Sequence, residues 1–100
     1  MYGDSTMCAV VAPYKCKVER LDEANEIADT IRSELGNISG VKRVIDIWND
    51  NGTGYSITVW ESPEAKAAGA TKMEEIWARF EGMFDEVIME EFVNVELLVG

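Results

Sequence analysis

Val41-Lys42-Arg43-Val44-Ile45-Asp46-Ile47-Trp48, then Asn49-Asp50-Asn51-Gly52-Thr53-Gly54, then Tyr55-Ser56-Ile57-Thr58-Val59-Trp60: this stretch decides the fold. Two runs rich in β-branched and aromatic residues flank a turn where Asn51-Gly52 and a second glycine meet the positive-φ demand of a tight hairpin. Before the hairpin, Leu21, Ala24, Ile27, Ala28, Ile31 and Leu35 recur at intervals of three and four among Asp22, Glu23, Glu26, Asp29, Arg32 and Glu34. That spacing predicts an amphipathic helix, stopped by Gly36-Asn37. After the hairpin, Ser62 is a good N-cap, Pro63 suits the first helical position and Glu64 meets the positive end of the helix dipole. Met73, Ile76, Trp77, Phe80, Met83 and Phe84 then share one helical face, the strongest helical signal in the chain.

Two strands complete the frame. From Met7 to Lys17 the apolar run Cys8 to Ala12 is too short for a core helix, and Pro13 requires an edge, a bulge or a strand end. Phe92 to Val99 alternates Val93, Val95, Leu97 and Val99 with Asn94 and Glu96, the pattern of a strand. The order is β-α-β-β-α-β. With right-handed crossovers its compact form is the ferredoxin-like α+β fold, a four-stranded antiparallel sheet with both helices on one face and strands two and four at the edges. Residues 1–6 read as a flexible N-terminus, and 7–100 as one domain.

Such a sheet has a second face, which ought to be polar in a lone monomer. Alternate positions place Ile45, Ile47, Tyr55, Ile57, Val59, Val93, Val95 and Leu97 in one class, and Val44, Asp46, Trp48, Ser56, Thr58, Trp60, Phe92, Asn94 and Leu98 in the other. The second class is too apolar to face water. Set on the outer face, the second class predicts a homodimer packed sheet on sheet through Val44, Asp46, Trp48, Thr58, Trp60, Phe92 and Leu98. The pattern leaves open which face the partner covers.

Composition removes several functions. A net charge of -10, from 19 acidic and 9 basic residues, opposes a grip on nucleic-acid phosphates or anionic membrane. It is also compatible with a saline habitat, where salt screens self-repulsion. No signal peptide or membrane span is readable, so a cytoplasmic location is expected. Cys8 and Cys16, eight residues apart in one extended segment, read as free buried thiols. The chain has no histidine. Nucleophiles activated by histidine are therefore excluded, along with the usual zinc and iron sites, and neither metal nor cofactor is expected.

Ser39-Gly40-Val41 before the second strand, and Val59-Trp60-Glu61-Ser62-Pro63-Glu64-Ala65 where the third strand meets the second helix, resemble the antibiotic biosynthesis monooxygenase-like superfamily of dimeric α+β barrels. The resemblance spans about residues 7–99 in element order. It implies a homodimer whose two sheets form a barrel. In many members a cleft between sheet and helices takes a planar aromatic molecule, and some oxidise quinols or polyketide aromatics without metal or cofactor. Other members degrade haem. The haem-degrading and several quinol-oxidising members use a histidine in or near the second helix. Here that region reads Ala65-Lys66-Ala67-Ala68-Gly69-Ala70, so no catalytic residue carries over.

The candidate ligand-binding residues are Tyr55, Trp77, Phe80 and Trp60. Trp77 and Phe80 read first as core, and Trp48 and Trp60 first as interface packing, with the ligand role second. Asp46 and Glu96 are candidate bases if buried, and ordinary solvated groups if they lie on the sheet's rim. Three functions remain: a binder of a small hydrophobic or aromatic molecule, extending to cofactor-independent oxygenation; a non-catalytic dimerisation module; and a ligand sensor at the dimer interface.

Overall fold

A computed structural model of the chain describes residues 7–85 and 87–99. The expected flexible N-terminus, residues 1–6, lies outside them. The elements are β1 (Cys8–Lys15), α1 (Leu21–Gly36), β2 (Val41–Trp48), β3 (Thr53–Trp60), α2 (Pro63–Trp77) and β4 (Glu90–Phe92). Short 3-10 turns at Val18–Arg20 and Ala78–Phe80 precede α1 and follow α2. The sheet order is β2-β3-β1-β4 with every pairing antiparallel, so the chain has the expected ferredoxin-like α+β fold with β2 and β4 at the edges.

Local chemistry accounts for the boundaries. Gly52 turns the hairpin at φ +92°, and a side chain there would collide with the Cys16 carbonyl. Ser62 caps α2, its Oγ accepting the Ala65 N–H at 3.1 Å with Pro63 beginning the helix. Glu34 of α1 receives a forked hydrogen bond from Arg79 and lies 3.7 Å from Lys72, tying the ends of the two helices together. The core between helices and sheet contains Cys8, Cys16, Ala24, Ile31, Ile38, Trp60, Ile76, Phe80 and Met83, and both cysteines are free.

Two elements differ from the sequence reading. The α-helix α2 ends at Trp77; after the 3-10 turn, Gly82 at φ +81° redirects the chain, leaving Met83 and Phe84 beyond the helix. Phe84 forms an isolated β-bridge with Cys16 instead. Strand four was expected over Phe92 to Val99, yet β4 covers only Glu90–Phe92. Its alternation continues, but its partner does not: Phe92 already lies opposite Ala9, and β1 begins at Cys8. A strand without a neighbour has no ladder to join.

Pro13 sits where such a ladder is interrupted. It pairs with Tyr55 on the β3 side, while on the other side β4 reaches only to Val11. Between Val11 and Cys16 the chain takes five steps, and between their partners Glu90 and Phe84 it takes six. Asp85 still donates its N–H to the Lys15 carbonyl at 2.8 Å, whereas residues 87–89 join no ladder, and an opening lies beside them.

Candidate functional site

The opening leads to a cavity of about 260 Å³, lined by Ala12, Tyr14 and Ser56 from the sheet and by Trp77, Phe80 and Phe84 from the second helix and its continuation. Glu81, Gly82, Asp85, Val87 and Met89 complete its lining. A smaller hollow of about 50 Å³ shares Tyr14, Trp77, Phe80 and Phe84, and continues toward α1 past Asn25, Asp46 and Trp48. The rings form a connected row. Tyr14 and Phe84 have centroids 4.9 Å apart, Phe84 and Phe80 5.4 Å apart, and Phe80 and Trp77 5.6 Å apart. These are tilted or offset contacts of the favourable kind. Larger hollows, of about 470 and 560 Å³, flank the helices, but no aromatic ring lines either.

One polar contact organises the inner end. Tyr14 donates from its hydroxyl to Asp46 Oδ1 at 2.6 Å, although β3 lies between their strands. The reach is possible because Tyr14 pairs with Gly54, whose missing side chain leaves room for the phenol ring. Asp46 keeps an exposed flank on edge strand β2, while its carboxylate lines the inner hollow. Burial raises the Asp46 pKa above the usual carboxylate range, against the lowering by the Tyr14 hydrogen bond. Tyr14 is raised well above an ordinary phenol, first by burial and then by Asp46 as acceptor and negative charge. The proton therefore stays on Tyr14.

The expected site residues separate. Trp77 and Phe80 line the cavity. Tyr55 does not; it is 50 % exposed on the opposite sheet face beside Ile45 and Ile47. Trp60, expected both at a ligand and at an outward interface, is 2 % exposed in the core, its ring over Gly69 of α2. Thr58 is buried as well. The outward assignment of this class is thus corrected: helix α2 approaches over Gly69, leaving room for an indole on the inner face. Val44 borders a groove against α1, and Asp46 and Trp48 line the inner hollow, so these residues also face the helices. Trp48 opposes Gly54 and Trp60 opposes Val41, placing the two indoles at opposite ends of the hairpin. Phe92 and Leu98 are exposed, as is Glu96, which is not at the cavity. Tyr14, Ser56 and the rim carboxylates Glu81 and Asp85 join the site although sequence reasoning did not select them. Among the described residues no three His, Cys, Asp or Glu side chains converge to hold a metal ion, and no helix is long and apolar enough to cross a membrane.

Solved structures share this arrangement of a four-stranded antiparallel sheet and two helices, among them proteins described as antibiotic biosynthesis monooxygenases. SnoaB, a cofactor-independent oxygenase from Streptomyces nogalater, is 12 % identical and superposes with a TM-score of 0.74, over 93 % of this chain and 97 % of its own. A candidate antibiotic biosynthesis monooxygenase from Caulobacter crescentus CB15 is 19 % identical, with a TM-score of 0.75 and 93 % of each chain covered. A conserved protein from Methanosarcina mazei Go1 is 15 % identical, with a TM-score of 0.77 over 92 % of this chain and 97 % of its own. At such identities the likeness is one of fold. No family model and no curated protein matches the chain in sequence.

Proposed function

We propose that this protein binds a small aromatic or otherwise hydrophobic molecule in the cleft between sheet and helices, and does so as a cytoplasmic homodimer. The row Tyr14, Phe84, Phe80 and Trp77 along a hollow of about 260 Å³ carries the proposal. Ordinary core packing closes such spaces. The volume lies just under the roughly 300–1,000 Å³ of drug-sized ligand sites, so one or two rings fit and an extended polycycle does not. A titration of one- and two-ring aromatics of either charge, followed by tryptophan emission, tests this. Saturable quenching or enhancement is expected, and an unchanged spectrum with every compound at millimolar concentration would remove the proposal.

Oxygenation is a second reading, favoured by a carboxylate at the inner end of the same cleft and by the chemistry named for SnoaB. A ring methylene that gives a proton to Asp46 becomes a carbanion able to reduce dioxygen. Oxygen bonds to that carbon, and loss of water leaves a carbonyl, with one oxygen atom in the product and the other in water. Oxygen uptake with bound electron-rich substrates supports this extension. Binding without uptake leaves a non-catalytic binder, and ligand-dependent dimerisation marks a sensor.

The dimer rests on the sheet face away from the helices, where Ile45, Ile47 and Tyr55 are exposed together. We assign the sheet-to-sheet contact to this face, closing the barrel that the family resemblance implies. Ile47→Asp, which places a charge among these exposed apolar side chains, is expected to halve the sedimenting mass and leave the circular dichroism unchanged. A wild-type chain that sediments as a monomer throughout the micromolar range ends the dimer proposal.

A further inference from the structure

We infer that the cleft selects an organic cation, a protonated amine on an aromatic or other apolar body, over neutral and anionic molecules of the same shape. This rests on the cleft being a ligand site and adds the charge of its ligand. Among the described residues the cavity and its inner hollow carry three carboxylates, Glu81 and Asp85 at the rim and Asp46 within, and neither is lined by a lysine or arginine. The two neighbouring cations each have a partner, and of them Arg20 comes nearest, its Nη1 3.4 Å from where a Cβ on Gly82 of the rim would stand. Arg20 pairs with Glu23 at 2.9 Å, and Lys15 donates to the Asn51 carbonyl at 2.8 Å.

The rings act in the same sense. Tyr14, Phe80, Phe84 and Trp77 line the space with aromatic rings, and a ring face attracts an ammonium group and repels a carboxylate. Hydrogen bonding adds direction: because the Tyr14 proton is committed to Asp46, the phenol oxygen and the second carboxylate oxygen remain as acceptors seeking a donor. Ser56 is 3 % exposed and lines the cavity, which places a small hydroxyl on the sheet side of the space. A cation near Asp46 would also offset the cost of keeping that carboxylate partly out of water. The chain's charge of -10 adds long-range attraction, which salt weakens.

Calorimetric titration with three probes of one shape tests the inference: 2-naphthylmethylamine, 2-naphthalenemethanol and 2-naphthoic acid. The amine is expected to bind about tenfold or more tightly than the alcohol, and the acid more weakly than either. Asp46→Asn should remove most of the amine's advantage while leaving alcohol affinity within about twofold. The pair Glu81→Gln and Asp85→Asn, both at exposed positions, should reduce the advantage without touching the inner hydrogen bond. Alcohol binding with the amine no tighter, or the acid tightest of the three, overturns the charge selection and leaves the cleft a ligand site. Binding of none at millimolar concentration overturns both.

Discussion

Replacing Trp60 with alanine is expected to cost about 3–5 kcal/mol of folding stability, the largest loss from any single truncation in this chain. The indole is 2 % exposed, opposite Val41 at one end of the hairpin and against Ile38 and Gly69. A Cβ on Gly69 would lie 2.5 Å from the indole edge, so helix and ring are in close contact with no slack to close a void. The space left by alanine therefore persists, adding a cavity cost to the lost transfer energy. For a domain of this size, 1 kcal/mol moves the melting temperature by about 4–8 °C, so a fall of more than about 12 °C should be measured. Trp60→Phe should recover part of it. A loss under about 1 kcal/mol, with a change in sedimentation, would return Trp60 to the outer surface and reverse the face assignment.

That assignment shows what the sequence made legible. Element order was readable because period and punctuation are local: the interval of three and four in Leu21 to Leu35, the Asn51-Gly52 turn and the Ser62-Pro63 start each act within a few residues. Facing was not, because alternation yields two classes without saying which lies inside. The class with Ser56, Thr58 and Asp46 has more polar groups but faces the helices, where Gly69 admits Trp60 and Gly54 admits Tyr14. Strand four shows the converse limit. Val93, Val95 and Leu97 alternate as a strand should, but pairing depends on a neighbour that ends at Cys8.

Three rings of the aromatic row were visible, Trp77, Phe80 and Phe84 standing out by helical spacing, whereas Tyr14 belongs to a strand and enters only through register. Its one local signal was Gly54, since a glycine inside a strand often marks a close approach. The hydrogen bond to Asp46 joins residues 32 apart, a distance that no periodicity spans.

Gly54→Ala is accordingly expected to damage fold and cleft together. The added Cβ would stand 2.5 Å from the Ile47 carbonyl oxygen and from Cζ of Tyr14, and 2.6 Å from its hydroxyl. The phenol can swing aside, but the carbonyl belongs to the neighbouring strand and moves only with the ladder. Overpacking of this kind costs about 1–3 kcal/mol. Displacing Tyr14 also breaks its bond to Asp46 and disturbs the shared wall of both hollows, so affinity for 2-naphthylmethylamine should fall by about tenfold or more. Tyr14→Phe keeps the ring without the hydroxyl and should cost only about 0.5–1.5 kcal/mol. A double-mutant cycle separates the two clashes: with Tyr14→Ala the ring is gone, and what Gly54→Ala still costs belongs to the Ile47 carbonyl. Full additivity in that cycle, with wild-type stability for Gly54→Ala alone, would mean that Tyr14 does not cross β3. The row of rings would then have no tyrosine at its inner end, and Asp46 no partner holding it toward the cleft.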